Sequence, residues 1–226
     1  AGQVGVEDFI DGLEASFFAT PTAVFASYGS PEGPVTRLER VPPGDHDLEK
    51  LCRLDAIAAD VARGELDVAA ATRAVDEVIA APPRYGPGIT LAAFAVASAG
   101  AACFFGGSHL DLGASAFAGA LIGALALAAA RHPRLEGMFE AVAAVVVSAL
   151  AAVAACWLGA SAFVVTVSGL IVMVPGLTLT LAISELASRH LASGTARLTG
   201  ALTVFLLIGF GVALGSRLGV LLPPTV

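Results

Sequence analysis

AVAAVVVSALAAVAACWLGASAFVVTVSGLIVMVPGLTLTLAIS, residues 141–184, runs for 44 residues without Asp, Glu, Lys or Arg. A helix needs roughly 17–25 apolar residues to cross a hydrocarbon core about 30 Å thick, so this run is too long for one crossing and right for two. Gly159-Ala160-Ser161 is the expected turn between them. On the N-terminal side, Pro87–Leu110 and Leu112–Ala130 are also free of Asp, Glu, Lys and Arg, and Leu198–Ser216 follows on the C-terminal side. Five membrane-spanning helices are expected. β-barrel strands would be shorter and would alternate polar with apolar residues.

Charge falls abruptly before the first span. Residues 1–86 hold 15 Asp/Glu and 7 Lys/Arg, net −8, while residues 87–226 hold 4 acids and 5 arginines, net +1. The chain as a whole is 57% hydrophobic and 14% charged, against about 45–50% and 25% for soluble domains. Two domains in two solvents follow: an acidic α+β domain over 1–86 in water, and a five-helix transmembrane domain over 87–226 in lipid. The fold class is thus a polytopic α-helical membrane protein with a small N-terminal α+β cytoplasmic domain.

Composition and motifs speak against several functions. Few basic residues and a strongly acidic domain speak against nucleic-acid binding. No phosphate loop, G-x-S-x-G elbow or H-E-x-x-H helix occurs, so no enzyme is indicated. Cys52, Cys103 and Cys156 are far apart and lack CxxC spacing, which gives neither a disulfide framework nor a zinc site. Glu7/Asp8/Asp11 and Asp45/Asp47/Glu49 lack EF-hand spacing and read as solvated acids near helix starts. No metal or cofactor is expected. The chain opens AGQVG without a Met, which points to a missing or processed start, and the first span must direct insertion itself.

Within the acidic domain, residues 4–14 place Val6, Phe9, Ile10 and Leu13 at helical spacing. Phe17–Thr20, Ala23–Tyr28 and Val35–Val41 read as strands, with turn chemistry at Ser30–Pro34. Pro42-Pro43-Gly44 ends the sheet. Asp45 or Asp47 can cap a helix running to Gly64, and a second runs from Leu66 to about Ala80. Pro82-Pro83 stiffens the junction, where Arg84 and Tyr85 suit the headgroup region.

Arginines 84, 131, 134, 189 and 197 fall on alternate connections, which fits a cytoplasmic N-terminus and an outside C-terminus, with Arg217 as the exception. Gly119-x-x-x-Gly123 and Gly211-x-x-x-Gly215 let helix backbones approach closely. The fourth span carries the chemistry: Pro175-Gly176 interrupts it, and Thr166, Ser168, Thr178, Thr180 and Ser184 surround the interruption. Proline removes a backbone donor, and a broken helix in mid-membrane offers carbonyls and helix ends to a polar or ionic solute. The alternative is a packing kink whose hydroxyls satisfy freed carbonyls. Glu185 lies nine residues past Gly176, near the cytoplasmic interface. It is either a proton acceptor or gate, or a solvated helix end paired with Arg189. Asp111, in the outer connection beside His109, is the mirror candidate for ion or proton uptake.

The sequence resembles the threonine/serine exporter family, specifically its larger N-terminal half. The resemblance is carried by Ala19-Thr20-Pro21-Thr22, RLERVPP at 37–43, APPRY at 81–85, Val174-Pro175-Gly176, Ser184-Glu185-Leu186, and Ser193-Gly194-Thr195-Ala196-Arg197-Leu198. It places the family's intramembrane Pro-Gly on Pro175-Gly176 and its acidic residue on Glu185, where Asp is usual. Leu181 stands where Asn is often found, and Ser184 where a basic residue is frequent. It implies a secondary exporter of small polar metabolites such as threonine and serine, or of dicarboxylates, driven by a coupling ion such as H+. It also implies a homo-oligomer or a complex with a smaller hydrophobic subunit, in the inner (plasma) membrane. A scaffold or signalling subunit that binds a partner through its cytoplasmic domain is the competing reading.

Overall fold

The computed structural model describes residues 14–20, 22–30, 33–41, 47–131 and 138–220. The helix expected over 4–14 lies outside these residues apart from Glu14. So do the Pro42–Gly44 stop, Asp45, Arg134 and the acids at 7, 8 and 11. The chain divides into two compact units between Arg84 and Tyr85.

The first unit holds a three-stranded antiparallel sheet, β1 (Glu14–Thr20), β2 (Ala23–Ser30) and β3 (Gly33–Arg40), in the order β1-β2-β3. Glu14 opens β1 rather than closing a helix. The register aligns Phe18, Phe25 and Leu38 across the sheet, and the rings of Phe18 and Phe25 are 5.9 Å apart. Such cross-strand aromatic pairs favour this register over a one-residue slip, which would send each ring to the opposite face. Thr20 Oγ1 donates to the Ala23 carbonyl at 3.0 Å and tightens the first turn.

Helix α1 (Leu48–Ala62) is capped by Asp47, whose carboxylate accepts from the Lys50 N–H at 3.1 Å. Gly64, at φ +70°, lets the chain leave the helix in the left-handed region that disfavours a Cβ. Helix α2 (Val68–Ala80) starts two residues later than the sequence pattern predicts, because Asp67 takes the capping position. Val78 is buried in the resulting hairpin, and Lys50 Nζ bridges to the Ile79 carbonyl at 3.0 Å. Arg84, expected at lipid phosphates, lies 3.8 Å from Glu49 within the same unit.

The second unit is helical: α3 (Pro87–Phe104), α4 (His109–Ala129), α5 (Phe139–Leu158), α6 (Ala162–Leu170), α7 (Gly176–Ala187) and α8 (Leu191–Val220). Among the described residues, α3, α4, α5 and α8 are each long and apolar enough to cross a membrane, and α6 with α7 passes the same test as a bent pair, which is either a broken fifth span or a re-entrant loop. Gly159, at φ +70°, ends α5, and Ser161 caps α6 through a 3.4 Å bond from the Val164 N–H, which is the turn read from Gly159-Ala160-Ser161.

Small residues set the packing. A Cβ at Gly119 would overlap Ser98 and the Phe94 carbonyl, and one at Gly123 would press on Leu91 and Phe94, so the first G-x-x-x-G pair is the α3–α4 contact. A Cβ at Gly211 would stand 2.6 Å from the Ala141 carbonyl, and one at Gly215 would overlap the Ser148 hydroxyl, which makes the second pair the α5–α8 contact. Lipid supplies no hydrophobic drive between helices, so this close approach is how dispersion holds the bundle. Gly169 of α6 likewise presses on Val147 and Ala118. The core is Ala118, Ile122, Ala143, Ala144, Val147 and Leu170. Helix α6 packs on α3, α4 and α5, whereas α7 packs on α8.

Candidate functional site

The interruption of the fourth span is built by Pro175. In a continuous helix residue 175 would donate its N–H to the Ile171 carbonyl, and proline has none to give. That carbonyl accepts from the Val174 N–H instead, at 3.2 Å, and winds Ile171–Met173 into a 3-10 turn. Val174 is extended (φ −65°, ψ 121°), and Pro175 has φ −78°, ψ 56°. With the Gly176 N–H 2.7 Å from the Val174 carbonyl, this is an inverse γ-turn about Pro175. Helix α7 then starts at Gly176, bent by 58° from α6. No side chain caps it. The first bond of the new helix runs from the Leu179 N–H to the Pro175 carbonyl at 3.0 Å, so the N–H groups of Leu177 and Thr178 have no intrahelical acceptor.

The sequence-predicted hydroxyls are distributed along both halves. Thr166 is half-buried on α6, and Ser168 is fully buried with its Oγ donating back to the Val164 carbonyl at 2.6 Å. On α7, Thr178 is half-buried and Thr180 is exposed, donating to the Gly176 carbonyl at 2.9 Å. Pro175 is half-buried and Gly176 exposed, with open space where a Cβ would stand. Thr180 and Gly176 are therefore in direct contact. The α6 and α7 groups lean on different neighbours.

The two carboxylates flank the broken span at opposite ends. Asp111 belongs to the first turn of α4 rather than to the connection before it, and it is 5% exposed. Its Oδ2 accepts from the N–H and the hydroxyl of Ser108, both at 2.8 Å, while Ser108 Oγ accepts from the Asp111 N–H at 3.3 Å. This is a capping box. Its Oδ1 accepts from the Ser161 N–H at 2.5 Å, at the start of α6.

Glu185 lies in the last turn of α7, and its partner is Arg197 rather than Arg189. Arg197 Nε is 3.0 Å from Glu185 Oε1, with side chains only 22% and 12% exposed. Arg189 sits past the helix end at φ +63°. Its N–H reaches the Leu186 carbonyl at 3.0 Å, and the His190 N–H reaches the Glu185 carbonyl at 2.8 Å. Those two bonds are the Schellman closure, with Arg189 where glycine is usual. Arg197 was missed by charge and spacing alone; its signal was its place in the Ser193–Leu198 stretch.

Two more buried hydroxyls also escaped the sequence reading. Ser98 and Ser115 Oγ are fully buried in α3 and α4 with no hydrogen-bond partner among the described residues. Among those residues no group of three or more His, Cys, Asp or Glu is placed to hold a metal ion.

Comparison with known proteins places the chain in a family. The chain is similar to "Pheromone-regulated membrane protein 10" of Saccharomyces cerevisiae (strain YJM789), at 26% identity over 213 residues, covering 91% of this chain and 27% of the relative. The Candida albicans (strain WO-1) protein of that name matches at 26% over 212 residues, covering 91% and 19%. The Kluyveromyces lactis one matches at 25% over 211 residues, covering 91% and 22%. The chain thus spans about a fifth to a quarter of the length of these curated relatives. No solved structure matches it. The family model described as "Putative threonine/serine exporter" matches residues 11–219, and the chain belongs to that family of membrane proteins.

Proposed function

We propose that the chain is the substrate-carrying half of a secondary exporter of small polar metabolites of the threonine/serine type. The observation that carries this reading is the interruption at Val174-Pro175-Gly176. It puts an uncapped helix start near the middle of an otherwise apolar span, with α6 and its 3-10 turn on one side and α7 on the other. Uncapped N–H groups and the positive end of the α7 dipole favour the carboxylate of an amino acid. Half-buried Thr178, two residues past that helix start, suits a hydroxylated side chain. Interrupted helices of this kind hold substrate and coupling ion in many secondary transporters.

In this reading the N-terminal unit faces the cytoplasm, the chain resides in the inner (plasma) membrane, and a coupling ion such as H+ drives export. A second copy or a smaller hydrophobic subunit completes a pathway that five helices leave partial. Counterflow of labelled serine, threonine and succinate, measured in vesicles from cells expressing the full-length protein, tests it. Exchange of threonine or serine above the vector control is the expected result; exchange of succinate alone would move the assignment to dicarboxylates. Absence of exchange for all three would favour the scaffold.

A further inference from the structure

Strand β3 is open along one side. Among the described residues it pairs with β2 alone, and residues 35–41 are all exposed. The direction of its backbone groups can be read from one bond. The Val41 N–H reaches the Thr22 carbonyl at 2.9 Å, so in this antiparallel ladder the odd-numbered residues turn their backbone groups toward β2. The even-numbered ones, Thr36, Leu38 and Arg40, turn theirs to the open edge. Pro34 has no N–H and marks where the edge stops offering donors. An open edge of this length is a template for another strand, and proteins commonly blunt such edges with charge. Arg37 and Glu39 lie on one face of β3, with Val35 and Val41 on either side of them. Leu38 stands on the opposite face, in the row with Phe25 and Phe18.

We propose that this edge binds the same edge of a second copy, antiparallel and centred on Leu38, joining the two three-stranded sheets into one. The strand is self-complementary in that register. Thr36 bonds through its backbone with Arg40 of the second copy, and Leu38 bonds with its own image on the two-fold axis, so every outward N–H and C=O from 36 to 40 finds a partner. At the intervening, more closely spaced positions, Arg37 meets Glu39 of the second copy, Glu39 meets its Arg37, and Val35 meets its Val41. Opposite charges and β-branched residues so placed stabilise a ladder, and like charges destabilise it. A slip of two residues in either direction sets Arg37 against Arg37 or Glu39 against Glu39. A slip of one faces the outward groups with groups already bonded to β2, and the ladder is lost. The charges that discourage other strands therefore select one partner and one register. On the other face, Leu38 meets its image and the apolar row Phe18–Phe25–Leu38 continues into the second sheet. The pairing rests on the sheet and not on the transport reading, and either can fail without the other.

The test is oxidative cross-linking of the full-length protein, in cell membranes and again after purification into lipid vesicles. The wild type, oxidised alongside, accounts for its own Cys52, Cys103 and Cys156. Cα atoms of a bonded antiparallel pair stand about 5.5 Å apart, within the span that a disulfide bridges. Leu38→Cys should therefore give a covalent dimer in both preparations. Arg40→Cys alone should not, because the two copies of that position lie four residues out of step, about 13 Å apart; co-expressed with Thr36→Cys, it should. In the Leu38→Cys chain, adding Arg37→Glu sets like charges opposite each other twice, and the cross-linking rate should fall about tenfold. Adding Glu39→Arg as well restores opposite charges and should return the rate to within about threefold. If Leu38→Cys does not fold, the co-expressed Thr36→Cys and Arg40→Cys chains decide with Leu38 in place. Equal cross-linking through Leu38→Cys and Arg40→Cys alone would show chance collision, and a rate indifferent to the charge changes would show contact through another surface; either overturns the pairing. A product joined to a different protein in membranes, with no dimer after purification, overturns it also by giving the edge another partner.

Discussion

Ser161 donates its backbone N–H to the Asp111 carboxylate at 2.5 Å, across 50 residues of sequence. The same carboxylate closes the capping box on Ser108, so one buried side chain fixes the start of α4 and the start of α6 together. Replacing it with alanine strands the Ser161 and Ser108 N–H groups. We expect Asp111→Ala to lower stability by about 3 kcal/mol and Asp111→Asn by about half as much, since hydrogen bonds to a charged group contribute roughly 1.5–3 kcal/mol each. Thermal unfolding in detergent measures this. A tie shows in the unfolding midpoint with flux per folded molecule retained; the proton-uptake role would shift the pH dependence of flux instead.

Two glycines of α8 separate packing from propensity. Gly215→Ala would force a methyl against Ser148 Oγ and within 2.5 Å of the Val145 carbonyl, and backbone cannot yield as a flexible side chain does. A loss of about 1–3 kcal/mol is expected from overpacking. Gly209 has open space at its Cβ position, and Gly209→Ala should gain about 0.5–1 kcal/mol by restricting the unfolded chain. Opposite shifts of the unfolding midpoint are the expected outcome.

Arg189 holds φ +63° with an exposed side chain. An L-residue in that region costs roughly 1–2 kcal/mol. Arg189→Gly should therefore raise stability by about 1 kcal/mol, as read by thermal unfolding, with threonine counterflow retained.

Pro175→Ala restores an N–H able to reach the Ile171 carbonyl. The 3-10 turn and the γ-turn should relax toward continuous helix, with the unfolding midpoint rising. Threonine counterflow should fall about tenfold, a barrier increase of about 1.4 kcal/mol, at unchanged membrane insertion. Undiminished flux would show that the break is packing alone.

The spans, the two G-x-x-x-G seams and the break could be read directly because each depends on local composition. Charges are absent where lipid is, glycines stand where backbones meet, and a proline stops a helix wherever it falls. Partner choice was less legible. Glu185 and Arg189 are one helical turn apart in sequence, yet Arg189 lies beyond the end of α7 in left-handed backbone, and the reversal there carries α8 back until Arg197 arrives alongside. That outcome depends on the turn, which spacing alone does not specify. Asp111 was misplaced for a related reason: Ser108 captures the capping position and starts α4 two residues ahead of the acid, which draws Asp111 into the bundle. Ser98 and Ser115 carry no sequence signal, since a serine on an apolar helix reads the same whether it faces lipid or a neighbour.

Helix α8 runs for 30 residues, a rise of about 45 Å against a hydrocarbon core of about 30 Å. So long a rod must tilt or protrude, and by how much is set by the thickness of the surrounding bilayer. Leu186 of α7 packs against Gly194 in the first turn of α8, so the end of the rod that such a tilt would displace is the end that α7 holds.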